Sequence, residues 1–237
     1  MTELDALFFS AHPDDAELCC GGTIAALNKS GKKTGIIDLT KGELGTRGSV
    51  KQRFAEAKKA SAILGISARE NLGISDGNIT NTPANRLKVI KAIRKYKPRI
   101  IFFPHFHDRH PDHHNTHILV KEAAFYSGLV NIKTAGLKAY RPQRNIYYMQ
   151  TYTFEPTFIF DISDTFKLKM EAVQCYSTQF YSGKESKGPE TFISSKNFLE
   201  FIEARCKFYG FQAGVKYGEA FFTEEKIKLN SDTLLKI

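Results

Sequence analysis

Short apolar runs alternate with longer stretches of helical period through the first two thirds of the chain, the pattern of parallel strands covered by helices. Leu4 to Ala11 reads as a buried strand. Asp14 to Asn28 reads as a helix with Leu18, Ile24, Ala25 and Leu27 at its apolar positions, ended by Ser30-Gly31. Lys33 to Leu39 is a second strand, and a glycine-rich loop, Thr40 to Ser49, leads into an alanine-rich helix from Val50 to Leu64 that Gly65 closes. A short strand is expected near Asn71 to Ile74. Ala84 to Lys97 reads as a helix stopped by Pro98, and Arg99 to Phe103 as a β-rich run. Asp112 to Tyr126 follows as a helix, with Pro111 in the first turn, where the missing N–H would have had no partner. Strands are expected at Asn145 to Gln150 and Thr157 to Asp161, and helices at Thr165 to Tyr176 and Lys196 to Tyr209. There is no repeat, and the polar loop Ser182 to Glu190 is too short to separate domains. The expectation is one α/β domain over residues 1–237: a Rossmann-like, mostly parallel sheet flanked by helices, with elaborated C-terminal elements.

Composition narrows the class. With 237 residues, 42% hydrophobic and 25% charged, disorder and collagen-like repetition are excluded. No apolar run approaches the roughly 20 residues of a membrane span. The stretch Met1 to Ala11 opens with acidic residues instead of the basic start of a signal peptide, so a cytoplasmic protein without a membrane partner is expected. Four cysteines are too few for a disulfide scaffold, and adjacent Cys19 and Cys20 lack zinc-knuckle spacing; all four read as reduced thiols in packing roles. Lys plus Arg exceeds Asp plus Glu by 34 to 25, a net +9 that favours anionic partners. The lysines are spread along the chain, with no basic arm, RNP-type motif or finger spacing, so a nucleic-acid-binding module is the weaker reading.

The histidines change the picture. Six of the seven, His105, His107, His110, His113, His114 and His117, fall within thirteen consecutive residues, and the seventh, His12, stands beside Asp14 and Asp15. Both groups follow expected buried strands, and in open α/β sheets sites form at the carboxyl ends of strands. His12 and Asp15 are placed as a nitrogen and an oxygen ligand, and Asp14 can aim a second carboxylate at the same space. Acidic residues in a first turn also suit the helix dipole with no further role. In the second group, His113 and His117 are one helical turn apart and His110 faces the same way from just before the helix. A His-Asp pair joined by a histidine from a second strand end makes the three-ligand, open-position metal site of hydrolases. Such a site lowers the pKa of water toward about 7, with Asp14 as the evident base and His110, not bound to metal, as donor to an oxyanion and a leaving amine. The remaining histidines would support the ligands or face solvent.

The pair Ala11-His12-Pro13-Asp14-Asp15-Ala16-Glu17 and His110-Pro111-Asp112-His113 resembles the PIG-L/LmbE family of zinc-dependent N-acetylglucosaminyl deacetylases, and the likeness extends over almost the whole chain. The stretches Asp38 to Gly48, Asp108 to His113, Phe160 to Asp164 and Gln212 to Tyr217 resemble the branch that deacetylates N-acetylglucosaminyl malate in bacillithiol biosynthesis. The resemblance implies His12, Asp15 and His113 as ligands of one Zn2+ per chain, which Fe2+ or Co2+ could replace, and Asp14 as general base. It implies His110 as general acid or oxyanion donor, oriented by Asp112, with Arg53 binding sugar hydroxyls and Arg109 pairing with malate carboxylates. The alternative for either arginine is a solvated or ion-paired side chain. The implied substrate is an anionic amino-sugar glycoside, with a chitooligosaccharide, a glycolipid headgroup or a thiol conjugate as alternatives, and the implied assembly is a homo-oligomer, a hexamer among the forms. Cys19 stands where relatives commonly have glycine. The loop Thr40 to Ser49 is either a substrate lid or an ordinary mobile loop, and the region of Tyr176, Gln179, Phe180 and Tyr181 would line the site.

Overall fold

The computed structural model describes residues 3–181, 183, 188–228 and 230–231, so within the polar loop Ser182 to Glu190 residue 182 and residues 184–187 lie outside the described residues. In chain order the elements are β1 (Ala6–Ser10), α1 (Asp15–Lys29), β2 (Thr34–Asp38), α2 (Val50–Leu64), β3 (Ala68–Asn71), α3 (Pro83–Tyr96), β4 (Ile100–Pro104), α4 (Pro111–Ser127), β5 (Arg144–Tyr148), β6 (Phe158–Asp161), α5 (Phe166–Gln174), a 3-10 turn at Phe192–Ser194, α6 (Lys196–Gln212) and β7 (Gly218–Phe222). The strands form one sheet in the order β3-β2-β1-β4-β5-β7-β6. The first five pair in parallel. β7 runs antiparallel between β5 and β6.

Helices cover both faces, which is why β1 is buried along its whole length and reads as a continuous apolar run. Side chains alternate across it. Phe8 joins a core with Ile24 of α1, Ala60 of α2 and Val173 of α5. Leu7 and Phe9 join the other core, with Ile93 of α3 and Val120 of α4. The order also contains a reversal: from β1 the chain moves outward to β2 and β3, then returns to place β4 on the other side of β1. The crevice between the carboxyl ends of β1 and β4 is therefore open to a ligand.

Local chemistry sets the helix ends. Ser49 and Gln52 form a reciprocal capping box at the start of α2, and Gly65, left-handed at φ 71, ends it. Pro111 occupies the first turn of α4, and the preceding His110 is its N-cap, with Nδ1 accepting the Asp112 N–H at 3.2 Å. This cap holds the His110 ring at the mouth of the crevice.

Two elements depart from the sequence expectation. The third strand is Ala68–Asn71, not Asn71 to Ile74, because this edge strand carries an inward-facing Arg69 in place of an apolar residue. Leu72 and Ile74 still bond back to the carbonyls of Asp38 and Leu39 as the chain leaves the sheet. β7 had no expected counterpart. Its buried Glu219 disguises a strand: the carboxylate accepts the Gly22 and Thr23 N–H groups and the Thr23 hydroxyl, and pairs with buried Lys169 at 2.6 Å. The four cysteines are free thiols, three of them buried. Among the described residues no helix is long and apolar enough to cross a membrane.

Arg69 ties the sheet to α1 from below the crevice, with Nε on Asp38 Oδ2 at 2.8 Å and Nη1 on Glu17 Oε1 at 2.5 Å, while Tyr176 donates to the same Glu17 oxygen at 2.8 Å. Removing the guanidinium strands two buried carboxylates. Arg69→Ala is expected to lower unfolding free energy by about 3–5 kcal/mol, checked by urea denaturation; a loss below about 1 kcal/mol would show that the tie is not structural.

Candidate metal and active site

The turn from β1 into α1 brings three polar side chains to one point. Asp14 sits at φ 127, ψ −26, a left-handed conformation that is strained for any residue but glycine. Asp15 turns its carboxylate back so that Oδ2 accepts the His12 N–H at 2.9 Å. Helix α4 delivers His113 to the same carboxylate, Nε2 lying 3.3 Å from Asp15 Oδ1, while His12 Nδ1 lies 3.7 Å from Asp15 Oδ2. One donor atom from each of His12, Asp15 and His113 falls within 4.8 Å of the others, and so does one from each of His12, His110 and Asp112.

The rear nitrogens of both histidines are held by carboxylates. His12 Nε2 is 3.0 Å from Asp76 Oδ1 and 3.4 Å from Asp112 Oδ2, and His113 Nδ1 is 2.7 Å from Asp108 Oδ1. A carboxylate behind a histidine fixes its tautomer and orientation, the arrangement that accompanies metal-ligating imidazoles. The spread of the His12, Asp15 and His113 donors suits one ion with ligands about 2 Å away, so the residues present fit a single divalent cation.

Burial and charge separate the two neighbouring aspartates. Burial drives the Asp14 carboxyl up to about 7, against the pull of the Arg53 guanidinium. Asp15 is equally buried, but the charges of His113 and His12 and the hydrogen bonds from both residues hold it well below the usual carboxylate range. Burial works against charging His12 and His113, yet the acidic groups around them outweigh it. His12 is lifted to about 10 by Asp112, Asp76 and Asp15, and His113 to about 9 by Asp15 and Asp108. A site that binds protons this strongly in its carboxylate nest is built for positive charge. His110 is shifted the other way, downward, by burial and by the neighbouring His113 and His12.

The cluster floors a cavity of about 440 Å³ whose walls come from segments following several strands. The loop Thr40 to Ser49 supplies Thr46 and Arg47, and it is pinned: Leu44 N–H donates to Asp76 Oδ2 at 2.9 Å, and Arg47 Nε donates to the Thr178 carbonyl at 2.9 Å. Arg53 reaches from α2 beneath this loop. Its guanidinium lies where a Cβ on Gly42 would fall, and Gly42 is left-handed at φ 66, so the loop needs glycine there twice over. Arg53 also donates to Gln179 Oε1, and Glu56, one turn on, accepts from the Thr178 N–H and hydroxyl. Arg109 stands at the mouth, its guanidinium 4.4 Å over the Phe192 ring. Phe180, Ile193 and Phe198 make an apolar wall.

Of the residues singled out from sequence, His12, Asp14, Asp15, His110, His113, Arg53 and Arg109 line this one cavity. Asp112 is beside it, but its carboxylate faces His12 and accepts the Gly77 N–H at 2.8 Å, and it meets His110 through its backbone N–H. The other histidines of the run are placed apart. His117 is buried, bonded to the Pro104 carbonyl at 3.0 Å and held down to about 4 by burial; His105 packs on Phe154. His107 lies against Tyr152, and His114 bonds the Phe106 carbonyl. Tyr176 lies below the cavity on Glu17, Tyr181 is partly exposed, and Gln179 and Phe180 line the cavity as expected. Sequence reasoning missed Asp76, Asp108 and Gln150. The Ser75-Asp76-Gly77 turn carries no motif of its own, and Asp108 lies within the histidine run, where sequence alone assigned it no role.

The model of the family described as PIG-L, GlcNAc-PI de-N-acetylase, matches residues 7–124. The diacetylchitobiose deacetylase of Thermococcus kodakarensis is 30% identical over 227 residues, 90% of this chain and 80% of the relative. Among solved structures, the conserved protein TT1542 from Thermus thermophilus is 36% identical with a TM-score of 0.87, covering 96% of this chain and 98% of its own. The N,N'-diacetylchitobiose deacetylase from Pyrococcus horikoshii, complexed with an inhibitor, is 27% identical with a TM-score of 0.79, covering 96% of this chain and 88% of its own.

Two outcomes test the geometry without any substrate. Asp76→Asn is expected to weaken divalent-ion affinity by about 10- to 100-fold, measured by chelator competition; an unchanged affinity would separate Asp76 from the ion. Asp14→Gly should be more stable than Asp14→Ala by about 1–3 kcal/mol, since only glycine sits at φ 127 without strain; equal stabilities in thermal unfolding would contradict a strained turn.

Proposed function

The chain belongs to the PIG-L family of de-N-acetylases, and from that premise we propose that it is a zinc-dependent hydrolase that releases acetate from an N-acetylglucosamine derivative of disaccharide size, of the N,N'-diacetylchitobiose type. One observation carries the reading: His12, Asp15 and His113 converge on the floor of a cavity in which the adjacent Asp14 carboxyl is lifted to about 7. The substrate class is supported by the Thermococcus kodakarensis relative, aligned over 90% of this chain.

His12, Asp15 and His113 would hold the ion, which supplies Lewis acidity that activates water and polarises the acyl carbonyl at neutral pH. Two histidines and an aspartate are a zinc-type donor set that also accepts Fe2+ or Co2+. The remaining steps belong to the protein. Asp14, with a pKa near the working range, takes the proton from the water that attacks the acyl carbon. His110, held at the mouth by its own cap on α4, donates toward the developing oxyanion. As the C–N bond breaks, a proton passes to the amine nitrogen, leaving acetate and a free amino sugar. Asp76 and Asp112 hold His12, Asp108 holds His113, and Arg53 offers hydrogen bonds to sugar hydroxyls while its charge keeps part of the Asp14 population ionised.

The malate glycoside favoured by motif resemblance becomes the second reading. Arg109 supports it: an exposed guanidinium stacked at the mouth is shaped for bidentate carboxylate pairing.

An acetate-release assay on N,N'-diacetylchitobiose, N-acetylglucosaminyl malate and N-acetylglucosamine, with and without chelator, tests both readings. Chelator is expected to abolish release, and Asp14→Asn to lower kcat on the order of 10²- to 10⁴-fold; full activity in metal-free protein would overturn the mechanism. The disaccharide should be the best of the three. If the malate glycoside is faster, and Arg109→Ala raises its KM more than that of N-acetylglucosamine, the second reading replaces the first.

A further inference from the structure

Gln150 follows β5 by two residues and is almost fully buried, yet it lines the same cavity as the donor cluster. It is held on every side but one. Its side-chain Oε1 accepts the Cys19 thiol at 2.9 Å, and its backbone carbonyl accepts from Arg205 of α6. The next two residues, Thr151 and Tyr152, donate their N–H groups to Asp108 Oδ2 at 2.7 and 3.3 Å. The amide nitrogen Nε2, by contrast, is shielded and has no hydrogen-bond partner. A buried donor without an acceptor is unfavourable, and one whose amide is locked by a thiol and whose backbone is locked by an arginine cannot turn away to find one.

We propose that Gln150 is a substrate-binding residue: its Nε2 donates to a hydroxyl oxygen of the bound amino sugar, and Cys19 is the positioning residue that holds the amide oxygen and leaves the nitrogen for the ligand. This rests on the deacetylase reading above. The reacting carbonyl must lie over the His12, Asp15 and His113 cluster, between the ends of β1 and β4, whereas Gln150 belongs to the next strand along, about 4.8 Å further. The proposed contact is to a sugar oxygen on the β5 side of the cavity, away from the bond being broken. An oxygen there is bound alike in ground and transition states, so its loss is read mainly in KM.

The test combines acetate release from N,N'-diacetylchitobiose by the metal-loaded enzyme with calorimetric titration of the metal-free protein by the same sugar. Gln150→Leu is expected to raise both KM and Kd by about 3- to 10-fold, the range of one lost hydrogen bond, with kcat changing less than KM. Gln150→Met keeps the length of the side chain and removes the donor without adding charge, so it repeats the effect if the leucine variant does not fold. Cys19→Ala should give a smaller rise in the same direction, and no further rise when added to Gln150→Leu. Unchanged KM and Kd in a folded Gln150 variant, or a loss confined to kcat, would overturn the proposal. A wild type that binds the sugar but releases no acetate would overturn the deacetylase reading instead, and the Kd comparison would still decide the role of Gln150.

Discussion

A crevice that gathers carboxylates out of water must be supplied with positive charge, and this requirement organises the molecule. Asp14, Asp15, Asp76, Asp108 and Asp112 surround His12 and His113, the two histidines proposed as ligands, at the ends of β1 and β4. Like charges a few ångströms apart in a medium of low dielectric repel strongly, so they cannot all stay ionised without partners. His12 and His113 are drawn toward the charged form, Arg53 is brought under the glycine loop, and the donor set is left matched to a divalent cation. The same balance pushes adjacent Asp14 and Asp15 in opposite directions. One becomes a group able to take a proton near neutral pH, and the other stays ionised. Two carboxylates next to each other in sequence thus receive different chemistry from their surroundings alone.

Rigid backing makes that difference usable. The left-handed Asp14 would relax if the turn were free, but both its flanks are tied: Asp15 accepts the His12 N–H, and the Asp14 carbonyl accepts the Leu18 N–H as α1 begins. Beneath, Glu17 is clamped by Arg69 and Tyr176, so the first turn of α1 cannot slide along the sheet. Above, Leu44 and Asp76 are joined by a hydrogen bond, which couples the loop after β2 to the carboxylate behind His12. The loop that could have been a lid is in this structure a wall, because Arg53 and Arg47 fasten it from inside.

What was legible in the sequence follows from how local each signal is. The apolar run of β1, the capping box of α2 and the proline opening α4 are written within a few residues, and these elements fall within one or two residues of expectation. The two histidine motifs are equally compact: His12-Pro13-Asp14-Asp15 and His110-Pro111-Asp112-His113 each span four residues, and most of their side chains line one cavity. Asp76, Asp108 and Gln150 act through partners far away in the chain, at His12, His113 and Cys19, and no local pattern encodes such pairing. β7 was hidden for a related reason. Its central Glu219 reads as a surface residue until Lys169, Gly22 and Thr23 are folded against it. Asp112 shows the limit from the other side: adjacency to His110 suggested an orienting carboxylate, but the helix turns that side chain toward His12.

The basic surplus can also be divided by place. Arg94 is buried and donates to the carbonyls of Ser127, Leu129 and Ile132 and to the Thr134 hydroxyl, gathering the end of α4 and the turn after it. Arg69 and Arg205 are likewise spent on internal carboxylates or carbonyls, and Lys169 on Glu219. These charges are structural and steer nothing. In the cavity, Arg47 is fixed to the Thr178 and Pro189 carbonyls and Arg53 lies against Gln179 and the glycine loop, which leaves Arg109, stacked on Phe192 at the mouth, as the arginine placed to meet an incoming group outside the reacting centre. On the proposed deacetylase reading, catalysis and selectivity would sit on different regions of the fold. The donor cluster lies at the ends of β1 and β4, while Arg109 and Phe192 line the outer part of the same cavity, so the proposed aglycone contacts could change without disturbing the charge balance at the floor.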